Sequence, residues 1–170
     1  MTLAIDGRHT VLAVLVLSAA TVAAAWLFQI AGGYVPCPLC LQQRWAYYAV
    51  VLITLCLWLG MNGPLRRFTA LGLSLSALAM LANAGLGLYH AGIEWQWWPG
   101  PQTCSGGAGL TGGLPDLDTA VAIACDEAQW RLLGLSFAGW NIVISIAIAA
   151  IAIRGALDHG RTYGSSSVSQ

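Results

Sequence analysis

Cys37 and Cys40 are separated by Pro38 and Leu39, and Arg44 follows four residues after the second cysteine. Cysteines so spaced can close a small disulfide or share a metal ion. Pro38 suits the first turn of a helix, where its missing N–H would have no partner in any case. Cys40 then falls in that first turn. Unpaired N–H groups and the helix dipole favour a thiolate there, and thiol pKa values drop below the free value of about 8.5. Arg44, at i+4, shares the helical face of Cys40 and adds a permanent positive charge. The spacing therefore points to Cys40 as the thiol readied to ionise. Cys104 and Cys125 lie far along the chain in a polar stretch, and Cys56 sits within an apolar run.

The elements that must hold these residues belong in a membrane. Charged residues make up 8% of the chain, against about 25% in ordinary globular proteins. There is no lysine, and the mean hydropathy is +0.70. Apolar blocks recur at the length, about 20 residues, that crosses a bilayer core of about 30 Å. Zero net charge and the lack of any Lys/Arg cluster give no footing for nucleic acid. The blocks predict an all-α membrane protein, a four-transmembrane-helix bundle with two non-cytoplasmic cysteine-bearing loops. Its spans cover about 11–30, 39–60, 68–89 and 132–153, with loops 31–38 and 90–131, in one domain over residues 1–157. The Gly/Ser-rich stretch 158–170 reads as a disordered cytoplasmic tail.

Each span carries a few informative residues. The first is longer than the apolar core of a cleaved signal, about 7–15 residues, and is read as a retained helix. Its Ala19, Ala20, Ala23 and Ala24 suggest a packing face. The second, from Trp45 to Gly60, would cover only about 24 Å and must start earlier, near Pro38 or Leu39. That start brings Gln42, Gln43 and Arg44 to the membrane boundary, where polar groups face the bundle or a site. The plain alternative for Arg44 is a guanidinium snorkelling to the headgroups. Asn83, Asn141 and Ser145 read as interhelical hydrogen-bonding groups, and Gly85 and Gly87 as places of close helix contact.

Both cysteine loops lie on one side of the membrane, because two spans separate them. Arg8, Arg66, Arg67, Arg154 and Arg161 lie on the other side, against only Arg44 and Arg131 here. The positive-inside rule makes the cysteine side non-cytoplasmic, where disulfides persist, and puts both termini in the cytoplasm. A loop as long as 90–131 is usually functional. Its Trp95, Trp97 and Trp98 fit an interfacial belt, and Leu114 to Ala124 has the makings of a short amphipathic piece. Cys56, mid-span, reads as a free thiol acting as a small apolar residue.

The four remaining cysteines allow three pairings, and spacing does not choose among them. They also allow three chemistries: a redox relay, static staples, or a four-cysteine zinc site. Zinc is disfavoured because Cys104 and Cys125 do not form a second close pair. Static staples are disfavoured because a disulfide spanning two residues is a common redox form and Arg44 favours a thiolate. A tetraspan protein with structural disulfides or a zinc site stays open as the alternative.

Cys37-Pro38-Leu39-Cys40 with Arg44, Trp97-Trp98-Pro99-Gly100-Pro101-Gln102-Thr103-Cys104, and Cys125-Asp126-Glu127-Ala128-Gln129-Trp130 occur together among four spans. In this the chain resembles the bacterial disulfide bond formation protein B (DsbB) family, from about Val11 to Ile153. The resemblance implies a multi-pass oxidoreductase of the bacterial inner membrane, in contact with membrane lipid. It would re-oxidise a soluble periplasmic DsbA-like thiol oxidase and pass the electrons to the membrane quinone pool, ubiquinone or menaquinone. It implies disulfides Cys37–Cys40 and Cys104–Cys125, with Cys104 attacked by the partner, Cys125 passing electrons to Cys37, and Cys40 donating to the quinone. Arg44 would steady thiolate and quinone charge. His90 is a further quinone-site candidate, its plain alternative being a solvated interfacial histidine.

Overall fold

The computed structural model describes residues 7–101, 104 and 125–166. Four long helices dominate: α1 (Gly7–Ile30), α2 (Pro38–Gly60), α3 (Thr69–Glu94) and α4 (Phe137–Ser166). A 3-10 turn, Pro64–Phe68, leads into α3, and a two-stranded hairpin, β1 (Arg131–Leu132) and β2 (Leu135–Ser136), leads into α4. The chain folds as a helical membrane protein. Helices α1, α3 with its preceding turn, and α4 are each long and apolar enough to cross a membrane. Helix α2 has similar length but carries Gln42, Gln43 and Arg44 near its start.

Each helix packs on its sequence neighbours and α4 closes back on α1, with α3 against α4 the most extensive contact. Val14, Val50, Leu73, Met80 and Ile148 are buried in the centre of this ring. A polar layer crosses it. Tyr47 Oη donates to Asn141 Oδ1 at 2.8 Å, and Asn83 Nδ2 donates to Asn141 Oδ1 and Ser145 Oγ, both at 3.1 Å. The interhelical roles expected of Asn83, Asn141 and Ser145 are thus realised. Gly87 lets α3 approach at this layer, since a Cβ there would lie 2.9 Å from Asn141 Nδ2. Gly85 meets nothing within 4 Å and makes no such contact.

The structure departs from the sequence expectations at the ends of the elements. Helix α3 continues past Tyr89 to Glu94 and ends where Gln96 turns left-handed at φ 58°. Helix α4 begins at Phe137 rather than Leu132. Leu133 and Gly134 both have positive φ, 53° and 83°, which makes a tight hairpin turn before the helix starts. Ser136 then caps it, its Oγ accepting the Gly139 N–H at 3.2 Å. The far end of α4 runs to Ser166, through much of the stretch expected to be disordered. No proline interrupts it, and an internal glycine such as Gly160 costs only about 1 kcal/mol. In α1 the buried stripe is Thr10, Val11, Val14 and Ser18. Ala19, Ala20, Ala23 and Ala24 are exposed, so the expected alanine packing face is corrected. Leu114 to Ala124 lies outside the described residues.

Candidate redox site

Cys37 is the residue that caps α2. Its backbone is extended (φ −70°, ψ 164°), Pro38 opens the helix, and its sulfur accepts the Cys40 N–H at 3.2 Å. This is the usual geometry of an N-cap, with sulfur replacing the customary oxygen. The Cys37 and Cys40 sulfurs are 2.7 Å apart as unbonded thiols. Closing the bond, about 2.05 Å long, needs only a small approach.

The extra turn of α3 supplies the neighbour of this pair. His90 is 3% exposed, which excludes the solvated interfacial histidine. Its Nε2 lies 3.6 Å from Cys37 Sγ, and its Nδ1 lies 3.1 Å from Gln43 Nε2. The Cys37 thiol is held well below the ordinary thiol range. The largest cause is its hydrogen bond with Cys40, opposed by burial and aided by His90. Sequence spacing pointed to Cys40 instead. The difference arises because the N-cap sulfur, not the first-turn sulfur, receives the helix N–H, and because Arg44 turns elsewhere.

Cys104 and Cys125 are joined in a disulfide and are both buried. Together with Leu39 and Ile93 they form a small core with Cys37 at one end of the bundle. Side-chain contacts dock the Cys125 segment there. Gln129 Nε2 donates to the Val35 carbonyl at 2.9 Å, and Trp130 stacks on Phe137 with ring centres 4.8 Å apart. Phe28 of α1 packs against both rings, which ties α1, the last loop and α4 together. As a result Cys37 Sγ, His90 and Cys125 Sγ all lie within 4.8 Å of one another. The Cys125 sulfur is already bonded to Cys104, so the four sulfurs do not form the expected alternative of a four-thiolate zinc site.

A cavity of about 330 Å³ opens beside the pair, its wall formed in part by Cys37, Cys40, Arg44, His90 and Glu94. Apolar groups such as Val22 and Ile144 make up much of the rest. Arg44 reaches α1, donating to Gln29 Oε1 at 2.7 Å and to the Ala25 carbonyl at 3.5 Å. Its guanidinium also sits 5.5 Å from the Trp26 ring centre. This is a bundle-facing arginine rather than one snorkelling to headgroups. Cys56 is a free thiol on the outer face of α2, away from the other cysteines.

The structure therefore brings Cys37, Cys40, Cys104, Cys125 and His90 into one cluster, with Arg44 on the cavity beside them. Gln43, expected to face the bundle or a site, does so at His90, whereas sequence reasoning missed Gln29 and Glu94 as members of the site. For Glu94 the signal was its i+4 spacing from His90, hidden because α3 was expected to end at Tyr89.

Comparison with known proteins agrees with this arrangement. Residues 7–154 match the family model described as Disulfide bond formation protein DsbB. A Disulfide bond formation protein B of Aromatoleum aromaticum is 34% identical, over 74% of this chain and 77% of its own. One of Verminephrobacter eiseniae is 34% identical over 73% and 75%, and one of Herminiimonas arsenicoxydans 31% identical over 85% and 91%. No solved structure gives a significant match.

Proposed function

Since the chain belongs to the disulfide bond formation protein DsbB family and is a membrane disulfide oxidoreductase, we propose that it re-oxidises a periplasmic DsbA-like protein and delivers the electrons to a membrane quinone. The observation that carries this reading is the juxtaposition of Cys37 with the Cys104–Cys125 disulfide, inside 4.8 Å and beside an apolar cavity. Such proximity is what a relay of disulfide exchanges requires, and a pair of static staples has no use for it.

A partner thiolate attacks Cys104 Sγ, forming an intermolecular disulfide and releasing Cys125 as thiolate. Cys125 Sγ attacks Cys37 Sγ of the oxidised Cys37–Cys40 pair, which breaks that bond and leaves Cys40 as thiolate. The second partner thiol attacks its own mixed disulfide, so the partner leaves oxidised with two electrons fewer. Return of Cys125 to Cys104 and of Cys37 to Cys40 regenerates both disulfides once those two electrons leave through the quinone.

The residues around the cavity suit a quinone. Its volume is within the range of about 300–1,000 Å³ usual for small-molecule pockets, and its walls are largely apolar with one guanidinium at the edge. Arg44 and Cys40 are the residues of the wall that would hold it, and the quinone would supply the two-electron acceptor. Ubiquinone and menaquinone both meet these requirements. The asymmetric arginines support an orientation in the bacterial inner membrane with the cysteine loops periplasmic and both termini cytoplasmic.

The reading is tested by trapping. In a DsbA-like partner whose second cysteine is replaced by serine, the thiol that resolves the intermolecular disulfide is missing, so attack of its remaining thiolate on the Cys104–Cys125 bond should give a long-lived adduct at Cys104 on non-reducing gels, and Cys104→Ser should abolish it. Absence of any such adduct with the folded protein would remove Cys104 as the attacked sulfur and leave the disulfides structural.

A further inference from the structure

Among the described residues, Glu94 is the one buried acid at the site, and the relay just described does not use it. Its side chain is 4% exposed, and its Oε1 lies 3.9 Å from His90 Nε2. Its Oε2 is buried with no hydrogen-bond partner. Burying a polar atom without a partner is costly, so its retention calls for a reason. The carboxyl also lies on the wall of the cavity that holds Cys37 and Cys40.

We propose that Glu94, acting behind His90, is the positioning residue that receives and holds the proton of the Cys37 thiol. Geometry supplies the path. The thiol meets Nε2 of His90 at 3.6 Å, and the same nitrogen faces Glu94. On the other side of the ring, Nδ1 meets the amide of Gln43. An amide can present either its NH2 or its carbonyl, so Gln43 accommodates the imidazole with or without a proton on Nδ1. The other groups facing Glu94 are the Ser136 hydroxyl, Arg131 of the hairpin, and the sulfurs of Cys37 and Cys40. Arg131 offsets the carboxylate charge, and Ser136 helps fix the side chain.

This inference rests on the quinone-coupled reading for its last step only. Closing the Cys37–Cys40 bond breaks two S–H bonds and forms one S–S bond. Two electrons pass to the quinone, and the two protons finish on the quinol oxygens. His90 takes the Cys37 proton at Nε2, Glu94 takes it from His90, and the carboxyl, on the cavity wall, returns it there.

The test separates the two ideas. In the reduced protein without added quinone, the rate of Cys37 alkylation by iodoacetamide is followed against pH by mass spectrometry of the Cys37 peptide. The unaltered protein should show two inflections, one of them set by the Glu94 carboxyl. Glu94→Gln should leave one, and Glu94→Asp should restore two. Oxidation of a reduced DsbA-like protein with decylubiquinone as acceptor should slow at least about tenfold in Glu94→Gln, with single-turnover disulfide exchange unchanged. An alkylation profile untouched by Glu94→Gln, or equal loss in the Gln and Asp variants, overturns the proton role. An unaltered protein that keeps two inflections but reduces no decylubiquinone overturns the quinone reading and leaves the proton role of Glu94 standing.

Discussion

Arg44 ties α2 to α1 while its guanidinium lines the cavity next to Cys40. Removing it tests which of these matters. Arg44→Ala should still exchange disulfides with its partner for one turnover, because none of the four relay sulfurs is touched. Re-oxidation by quinone should slow about tenfold to hundredfold, corresponding to one lost charge-assisted hydrogen bond of about 1.5–3 kcal/mol. Absorbance of the quinone against its concentration measures the second step, and a single-turnover thiol assay the first. Unchanged quinone kinetics in a folded variant would reduce Arg44 to a tie between two helices. At this scale the sequence was informative where chemistry is tied to residue type: Cys37, Cys40 and Arg44 declared themselves by spacing, while Cys104 and Cys125 were paired through the family resemblance. It was less so for Cys37 over Cys40. That preference depends on an extended backbone at the cap and on a histidine brought from another helix.

Elements place the residues, and α3 does most of this placing. Its last turn carries His90 to Cys37, and Gly87, one turn earlier, sets how closely α3 approaches α4. A side chain at Gly87 would meet Asn141 Nδ2 at 2.9 Å and Ile142 Cγ1 at 3.0 Å, whereas one at Gly85 meets nothing within 4 Å. Gly87→Leu should therefore force the helices apart at a cost of about 1–3 kcal/mol. In detergent that corresponds to a melting temperature lower by about 3–10 °C, and Gly85→Leu should melt like the unaltered protein. Equal melting of the two variants would show that the α3–α4 distance is not set at Gly87. The four helices were legible from apolar block length, and the polar layer from asparagines inside those blocks. Their ends were not. Helix α3 ends on a left-handed Gln96, and α4 begins after a left-handed Leu133, residues with no intrinsic preference for that conformation.

At the scale of the whole molecule, alternating helices gather the α2 and α4 starts and the α3 end at one pole, with all four relay sulfurs. The opposite pole holds the turn with Arg66 and Arg67, and His159 of α4 lies 3.1 Å from the Arg66 carbonyl there. This polarity was legible from the sequence, since loop arginines and helix number suffice to separate the two ends. The closing of α4 onto α1 was not, because it depends on contacts such as Gly155 against Thr10 that no local pattern announces. The proposed orientation in the membrane rests on the arginine asymmetry alone, and so admits a direct test. In a background with the native cysteines replaced by serine, Asn62→Cys and Asp126→Cys mark the two poles at exposed positions. A membrane-impermeant maleimide should label Asp126→Cys in intact spheroplasts and Asn62→Cys only in inverted vesicles. The arginine excess at the Asn62 pole makes transfer of that end across the membrane the costlier choice. The reverse pattern would put the cysteine cluster in the reducing cytoplasm, where thioredoxin and glutathione would keep Cys104 and Cys125 as thiols. A disulfide relay to a periplasmic partner could not then operate.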